Sequence, residues 1–474
     1  MDAPVPELEA RASACADALL DADRVLLASH IDADGLTSAA VAATALRRAG
    51  LPFETVFEKQ LDADSITGIA AREYDTVLFT DFGSGQLDII TDHEEAGEFT
   101  PVVADHHQPA DADTEFHLNP LLEGIDGASE LSGAGAAYVL ARALAERGPE
   151  ARLGNRDLAA LAVVGAVGDM QASGGELHGA NEGVVAEGVE AGVLAETKDL
   201  AVYGKQTRPL PKLLEYASDV RIPGITNDER GVVSFLDGLD IDCRADGAWK
   251  RWVDLTDDEK QAVASALVQH AVSRGVPAFK IDRLVGTSYV LTEETPGTAL
   301  RDASEFSTLL NATARYERAD VGLAVCLGDR EAALERAREL LRTHRRNLSE
   351  GIEWVEEHGV TTEEHLQWFD AGDEIRETIV GIIAGMSMSA DGVSREMPIV
   401  AFARKSDEET KVSGRGTGPL VSQGLDLSVV MGEAARAAGG DGGGHDVAAG
   451  ATIPAGNEGE FIEHADAVVG EQLG

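Results

Sequence analysis

Positive charge is what this sequence has least of. Among 474 residues, Lys and Arg together number 39 against 84 Asp and Glu, a formal net charge of −45, and only nine of the 39 are lysines. A net anion is a poor general partner for nucleic acid, whose binding rests on neutralised phosphates. Aromatic residues make up 5%, so platforms for stacking bases are scarce. Three widely spaced cysteines, Cys15, Cys243 and Cys326, form neither a CxxC pair nor a disulfide framework, and read as small buried hydrophobes in a reducing cytoplasm. No run approaches the roughly 20 apolar residues that cross a bilayer. Residues 1–10 are acidic and lack the basic start and apolar centre of a signal peptide. A cytoplasmic chain with no membrane partner is expected.

The acidic residues are scattered along the whole chain rather than gathered in a tail. Such a surface fits a protein adapted to molar salt, as in a halophilic archaeon. At about 1 M salt the Debye length is roughly 3 Å, and self-repulsion is largely screened; in dilute buffer it destabilises the fold. High salt also weakens ordinary phosphate contacts, so nucleic-acid binding would have to rely on metals, a few arginines and close-range contacts.

The length predicts two domains, and 44% hydrophobic residues suffice for their cores. The first 170 residues repeat a short apolar strand, an acidic or Gly-rich loop and a helix. Strands are expected at 24–29 (RVLLAS), 76–80 (TVLFT) and 101–104 (PVVA), with an Ala-rich helix over 36–49 stopped by Gly50. Residues 158–167 form a longer apolar run that suits a helix or a strand. This alternation implies an α/β fold with a mainly parallel N-terminal sheet. From about 203 to 310 turn-rich segments suggest a helical or mixed insertion. Residues 330–358 read as a long amphipathic connecting helix. Strands at 378–386, 398–404 and 411–413, a helix at 427–438 and the Gly-rich run GGDGGGHDVAAGA then make a second, smaller α/β domain.

The chemistry lies in where the aspartates fall. Asp32 and Asp34 follow the first strand in SHIDADG, Asp81 the second in TVLFTDFGSG, and Asp105-His106-His107 the third in VVADHH; Asp169 ends the fourth apolar run in GAVGDM. Loops at the carboxyl ends of strands in an open α/β sheet share one edge, where ligands bind. Carboxylates crowded there cannot all stay ionised without a counter-charge, so a cation is the natural resolution. Carboxylate with imidazole suits Mn²⁺, Mg²⁺ or Zn²⁺, and this many ligands suit two ions about 3.5–4 Å apart, a clamp for phosphoryl chemistry. A lone DxD or HH would signify little; the ordered set carries the inference. His30 is a further candidate ligand. Asp62, Asp64, Asp92 and His93 imitate the pattern away from strand ends and read as surface, and His117 in FHLNP as structural.

At these residues the sequence resembles the DHH phosphoesterase superfamily, with SHIDADG, FTDFG, ADHH and GAVGD in the family's order. HLNP, SGAGAAY, FSTLLNATARYERADVGLAVCLGD, SGRGTG and GGGHDVAAGA extend the resemblance over nearly the whole chain, nearest to the archaeal RecJ-like branch that includes the GINS-associated nuclease. The resemblance implies a DHH core at 1–200, an insertion and return at 201–328, a connecting helix at 329–358 and a DHH-associated, substrate-binding domain at 359–474. It implies that Asp32, Asp34, Asp81, His106 and Asp169 hold two Mn²⁺ ions, or Mg²⁺, with Asp81 as the bridge. Asp105 is matched to a supporting carboxylate and His107 to a group near the scissile phosphate. Arg415 and the loop Gly442-Gly443-Gly444-His445 are matched to a phosphate clamp, which agrees with the close approach glycine allows an anion and with arginine's two donors. Asn311 and Arg315 are candidates for the same cleft. Bacterial RecJ proteins carry an added OB-fold for single strands; no equivalent fits the remaining length, so grip is expected in the cleft between the two domains.

The function expected is a Mn²⁺-dependent single-strand exonuclease of DNA or RNA, releasing mononucleotides in replication or repair. A phosphodiesterase of short oligonucleotides or cyclic dinucleotides, and a replisome scaffold binding the GINS complex, are the alternatives.

Overall fold

The computed structural model describes residues 3–147, 154–172, 174–217, 220–390 and 392–474, and it divides into two units, Met1–Arg338 and Glu339–Gly474. In the first unit, strands β1 (Val25–His30), β2 (Phe53–Glu58), β3 (Thr76–Thr80), β4 (Thr100–Ala104) and the two-residue β5 (His117–Leu118) form one all-parallel sheet in the order β2-β1-β3-β4-β5. This is the parallel sheet of an α/β fold read from the sequence. Every residue of β3 is buried, as expected of a strand covered on both faces. Helices α1 (Glu9–Asp21), α2 (Ala33–Ala49), α3 (Ala63–Ala70), α4 (Leu87–Glu95), α5 (Gly133–Arg147) and α6 (Ala159–Gly168) complete the core. Leu26, Val77 and Phe79 pack on Ile66 and Ile69 of α3 and Leu87 and Ile90 of α4.

Chain direction reverses at β1: it steps outward to β2, then returns to β3 on the other side. The carboxyl ends of β1 and β3 therefore flank a topological switch point, where a crevice opens.

Two elements near that crevice differ from expectation. Helix α2 begins at Ala33 rather than Leu36, because Asp32 caps it by accepting from Gly35 N at 2.9 Å. Asp34 therefore lies in the first helical turn and not in a loop. The run at 158–167 is helical, so Asp169 follows a helix and not a strand; a short apolar run does not reveal its own period. Alanines and glycines let α2 pack on both α5 and α6.

After α7 (Ala180–Glu190), the insertion leaves and returns through an antiparallel ladder, β6 (Leu194–Leu200) with a partner strand at its far end. Between them lie α8 (Leu210–Glu215), α9 (Glu229–Asp237), the short ladder β7 (Arg244–Ala245) with β8 (Ala248–Trp249), α10 (Asp257–Ser273) and α11 (Ala278–Ile281), before the returning strand β9 (Val285–Leu291). This mixed insertion has its own apolar cluster, including Leu213, Ile222, Trp252, Val263 and Leu267. Helices α12 (Ala303–Arg315) and α13 (Ala319–Cys326) follow, then the 27-residue α14 (Ala332–His358), within which the division between units falls.

The second unit is a six-stranded mixed sheet, β10 (Thr361–Thr362), β11 (Gln367–Asp370), β12 (Ile399–Arg404), β13 (Glu409–Arg415), β14 (Asp441–Gly444) and β15 (Ala448–Pro454), ordered β10-β11-β12-β13-β15-β14. Its helices are α15 (Val380–Ser387), α16 (Gly418–Ser422), α17 (Leu427–Ala437) and α18 (Glu458–Leu473). The strand expected at 378–386 is instead α15. Gly381 and Gly385, one turn apart, let that helix lie directly on β13, where a Cβ at Gly381 would come within 3.0 Å of Ser413 Oγ. The glycine run expected as a loop is also an ordered strand, β14, at the sheet's edge. No helix among the described residues is long and apolar enough to cross a membrane.

Candidate metal centre

The crevice gathers all eight acidic and histidine residues predicted from the sequence. Donor atoms of His30, Asp32 and Asp81 form one group, those of Asp34, His106 and Asp169 a second, and those of Asp81, Asp105, His106 and His107 a third, each within 4.8 Å internally. Asp81 joins them by turning its two oxygens apart. Oδ2 lies 3.5 Å from His30 Nδ1, and Oδ1 lies 3.3 Å from His106 Nε2. His30 Nδ1 is also 3.2 Å from Asp32 Oδ2, and His106 Nε2 is 3.8 Å from Asp34 Oδ2. Asp34, Asp81 and Asp105 are buried, whereas Asp32 and His107 are about half exposed and give the site an open side.

Backbone and neutral side chains hold this set in place. Asp34 accepts from Gly133 N at 2.7 Å and Ala134 N at 3.0 Å, the amides that open α5, so a helix N-terminus faces a carboxylate. No side chain fits at the closest approaches: a Cβ on Gly133 would sit 2.4 Å from Asp81 Oδ1, and one on Gly165 2.4 Å from Asp34 Oδ1. Ala33 N donates to Asn311 Oδ1 at 3.1 Å, which places Asn311 on the turn between Asp32 and Asp34; Arg315, on the same helix, is exposed.

His106 bonds through Nδ1 to Gly127 O at 2.7 Å, which turns Nε2 toward Asp81 and Asp34. That is the orientation a metal-binding imidazole takes when its other nitrogen donates to a carbonyl. Gln171 was not singled out in the sequence, yet its Nε2 donates to Asp169 Oδ2 at 2.9 Å and to Gly127 O at 2.8 Å, and Asn181 fixes its Oε1 at 2.7 Å. Replacing Gln171 with alanine is expected to weaken binding of a divalent metal ion by this donor set about 10–100-fold with the thermal melt retained. Calorimetric titration measures this, and unchanged affinity would show that Asp169 needs no such support.

The electrostatics of the donor set call for a cation. Burial, then the charges of Asp81 and Asp169, push the Asp34 carboxyl well above its ordinary range. Asp169 is raised to about 6, chiefly by burial. Burial opposes charge on His106, but its bond to Asp81 and the surrounding carboxylates raise it to about 11; His30 is raised to about 11 in the same way by Asp32 and Asp81. His30 Nδ1 and Asp81 Oδ2 are buried and meet only as ion-pair contacts, with no well-directed hydrogen bond to either. Orphaned donor atoms among crowded carboxylates fit a divalent ion.

Asp105 plays a different part. It accepts from Ser84 N at 2.9 Å, His106 N at 2.7 Å and His107 Nδ1 at 2.8 Å. Burial would raise its carboxyl, but the bond with His107 outweighs this and lowers it to about 2, and the same bond raises His107. Behind it, Ser84 Oγ meets His117 Nε2 at 2.9 Å, and Asn119 Nδ2 donates to Ser84 Oγ and His107 O, each at 2.9 Å.

Burial lowers His117 to about 4. A histidine depressed below its unfolded value of about 6.5 contributes stability above that value, lost as pH falls toward 4, because the unfolded chain then binds more protons. Between pH 7 and pH 4 the wild type is expected to lose about 3 kcal/mol more than His117→Gln. Denaturant titrations at both pH values test this, and parallel losses would exclude it.

The surface assignments also have their places: Asp62 caps α3, Asp64 and Asp92 are exposed, and His93 pairs with Glu98. In the second unit, Arg415 and the glycine strand share one end of the sheet. Arg415 pairs with Ala448 on β15, and Gly444 with Ala449 on that strand's other side. Arg415 donates to Gly414 O at 2.7 Å, and Gly442, Gly443, Gly444 and the exposed His445 lie along the edge.

The fold and this cluster accord with the family matches. The chain matches the DHH family, N-terminal domain, over residues 24–166, the DHH-CID domain over 202–285 and the DHHA1 domain over 365–471, and these matches together support a hydrolase of the DHH superfamily. Among particular relatives, an uncharacterized protein of Methanocaldococcus jannaschii is 29% identical over 453 residues, 94% of this chain and 93% of that one. RecJ of Thermus thermophilus, solved with Mn²⁺, has the same fold at a TM-score of 0.60 and 19% identity; the match covers 99% of this chain and 55% of RecJ, so this chain spans about half of that protein's length. An exonuclease RecJ bound to manganese matches at 0.60 and 18% identity, over 98% of this chain and 95% of the other. CDC45 from Entamoeba histolytica matches at 0.64 and 11% identity, over 98% and 97%.

Proposed function

We propose that the chain is a Mn²⁺-dependent, single-strand-specific exonuclease that hydrolyses DNA or RNA to mononucleotides in replication or repair. The observation that carries this is Asp81, whose two oxygens face different groups of donors. On one side stand His30 and Asp32, on the other Asp34, His106 and Asp169. We assign these six as the ligands of two ions, which when bound supply a nucleophile at neutral pH and neutralise charge on the phosphoryl oxygens. RecJ structures of the same fold, described as Mn²⁺- and Mg²⁺-bound, support the choice of ion.

The chain's own groups do the rest. Asp105 holds His107 through Nδ1, and the exposed ring is free to present Nε2 to the phosphate. With its pKa raised by Asp105, that imidazole keeps a proton to anchor a phosphoryl oxygen or to pass to the leaving one. Arg415 and the amides of Gly442, Gly443 and Gly444, with His445, are assigned to the phosphate of the bound nucleotide.

Rates on a dinucleotide and on a long single strand, compared in roughly molar KCl to screen the acidic surface, test the proposal. Faster cleavage of the long strand is expected; strong preference for the dinucleotide would instead favour a short-oligonucleotide phosphodiesterase. GINS is the proposed protein partner, and a high-salt pull-down that recovers no replication protein would remove it.

A further inference from the structure

The metal cluster is not the only concavity on the first unit. A cavity of about 650 Å³ lies between the end of α6, the start of α12 and the β6–β9 ladder, within the size range of ligand pockets. It adjoins the metal cluster through α6: Asp169 belongs to the cluster, while Val167 and Met170 on either side line the cavity.

Met170, Val285 and Arg283 are exposed side chains of its wall. Met170 is 72% exposed; its φ of 63° belongs to the left-handed cap that ends α6, with Met170 N donating to Val167 O and Gln171 N to Ala166 O. Val285, also on the wall, is 50% exposed. Arg283 is exposed and has no hydrogen bond or ion pair among the described residues, although this chain carries 84 carboxylates. Deeper in, Lys205 is buried and tied to Leu200 O at 3.0 Å and to Ser288 Oγ. Of the two carboxylates on the wall, Asp302 is engaged in capping α12, and Asp282 is exposed beside Arg283.

An apolar shelf next to an unspent guanidinium matches a nucleotide, with a flat base on one and a phosphate on the other. We propose that this cavity is a second nucleotide subsite. It takes a nucleotide of the strand that remains after cleavage, its base against Met170 and Val285 and its phosphate at Arg283. The inference rests on the exonuclease reading of the adjoining metal centre.

Two measurements test it. First, a strand carrying a photoreactive base next to the nucleotide being released is bound to the Asp81→Ala variant and irradiated. Adducts are expected at Met170 or in residues 283–288; adducts confined to other segments would overturn the proposal. Second, Arg283→Glu is expected to raise KM for a long strand, relative to KM for a dinucleotide, by about tenfold, the loss that removing one charge-assisted phosphate contact produces. Equal shifts for both substrates, with an unchanged melting temperature, would overturn it. A wild type that cleaves neither substrate defeats the exonuclease reading; a wild type that cleaves both while Arg283→Glu behaves normally defeats the subsite alone.

Discussion

Asp81→Ala is expected to lower turnover on single strands by about a thousandfold or more, since the charge stabilisation lost is several kcal/mol. Among the described residues Asp81 is the one that faces both groups of donors, so its loss disables both together. The fold should survive. Crowding suggests that removing one carboxylate relieves repulsion, and the raised Asp34 agrees. The relief is partial, however, because Asp81 is also the counter-charge of His30 and His106. Without it those imidazoles are free to shed their protons, and the two effects offset each other. Asp81 also stands at φ 62°, where aspartate and asparagine are better tolerated than alanine. Asp81→Asn is therefore the matched control, keeping the backbone while removing the charge. Nuclease assays with Mn²⁺ and melting curves on both variants check this; full activity in either would refute the two-ion assignment.

The second large effect concerns salt. Raising KCl from roughly 0.1 M to roughly 2 M is expected to raise the melting temperature by about 10 °C or more, as self-repulsion at a charge of −45 is screened. Many of the few cations are committed to local pairs, such as Arg251 with Asp254 and Arg318 with Asp320, both at the surface. Surface pairs contribute about 0–1 kcal/mol each, too little for their screening to cancel the gain. Sucrose that stabilised the protein as well as KCl does would point away from charge, and a melting temperature indifferent to KCl would remove the case for a molar-salt habitat.

The part of the site that was legible in the sequence is the part tied to strand periodicity. RVLLAS, TVLFT and PVVA announce buried strands by composition, and acids placed just after them converge by topology alone. What was illegible lacks such a frame. Gln171, Asn181, Ser84 and Asn119 act through amide and hydroxyl groups that ordinary surface positions also carry, and only their bonds to Asp169, Gly127 and His107 distinguish them. Secondary structure failed where apolar runs were short or glycine-rich. Residues 378–386 became a helix because two glycines let it lie on a sheet, and glycines read as a loop became an edge strand.

The tight packing around Asp34 and Asp81 has a consequence for how this site can be inherited. Gly35, Gly127, Gly133 and Gly165 each occupy a place where one added carbon would strike a backbone oxygen or carboxylate at 2.0–2.4 Å. The centre is thus specified as firmly by positions that hold nothing as by those that hold an acid. A lineage could not exchange one of these glycines without shifting an aspartate, at Gly133 and Gly165, or the backbone of a histidine, at Gly35 and Gly127, so drift at a glycine would end the chemistry while every acid and histidine stayed in the sequence.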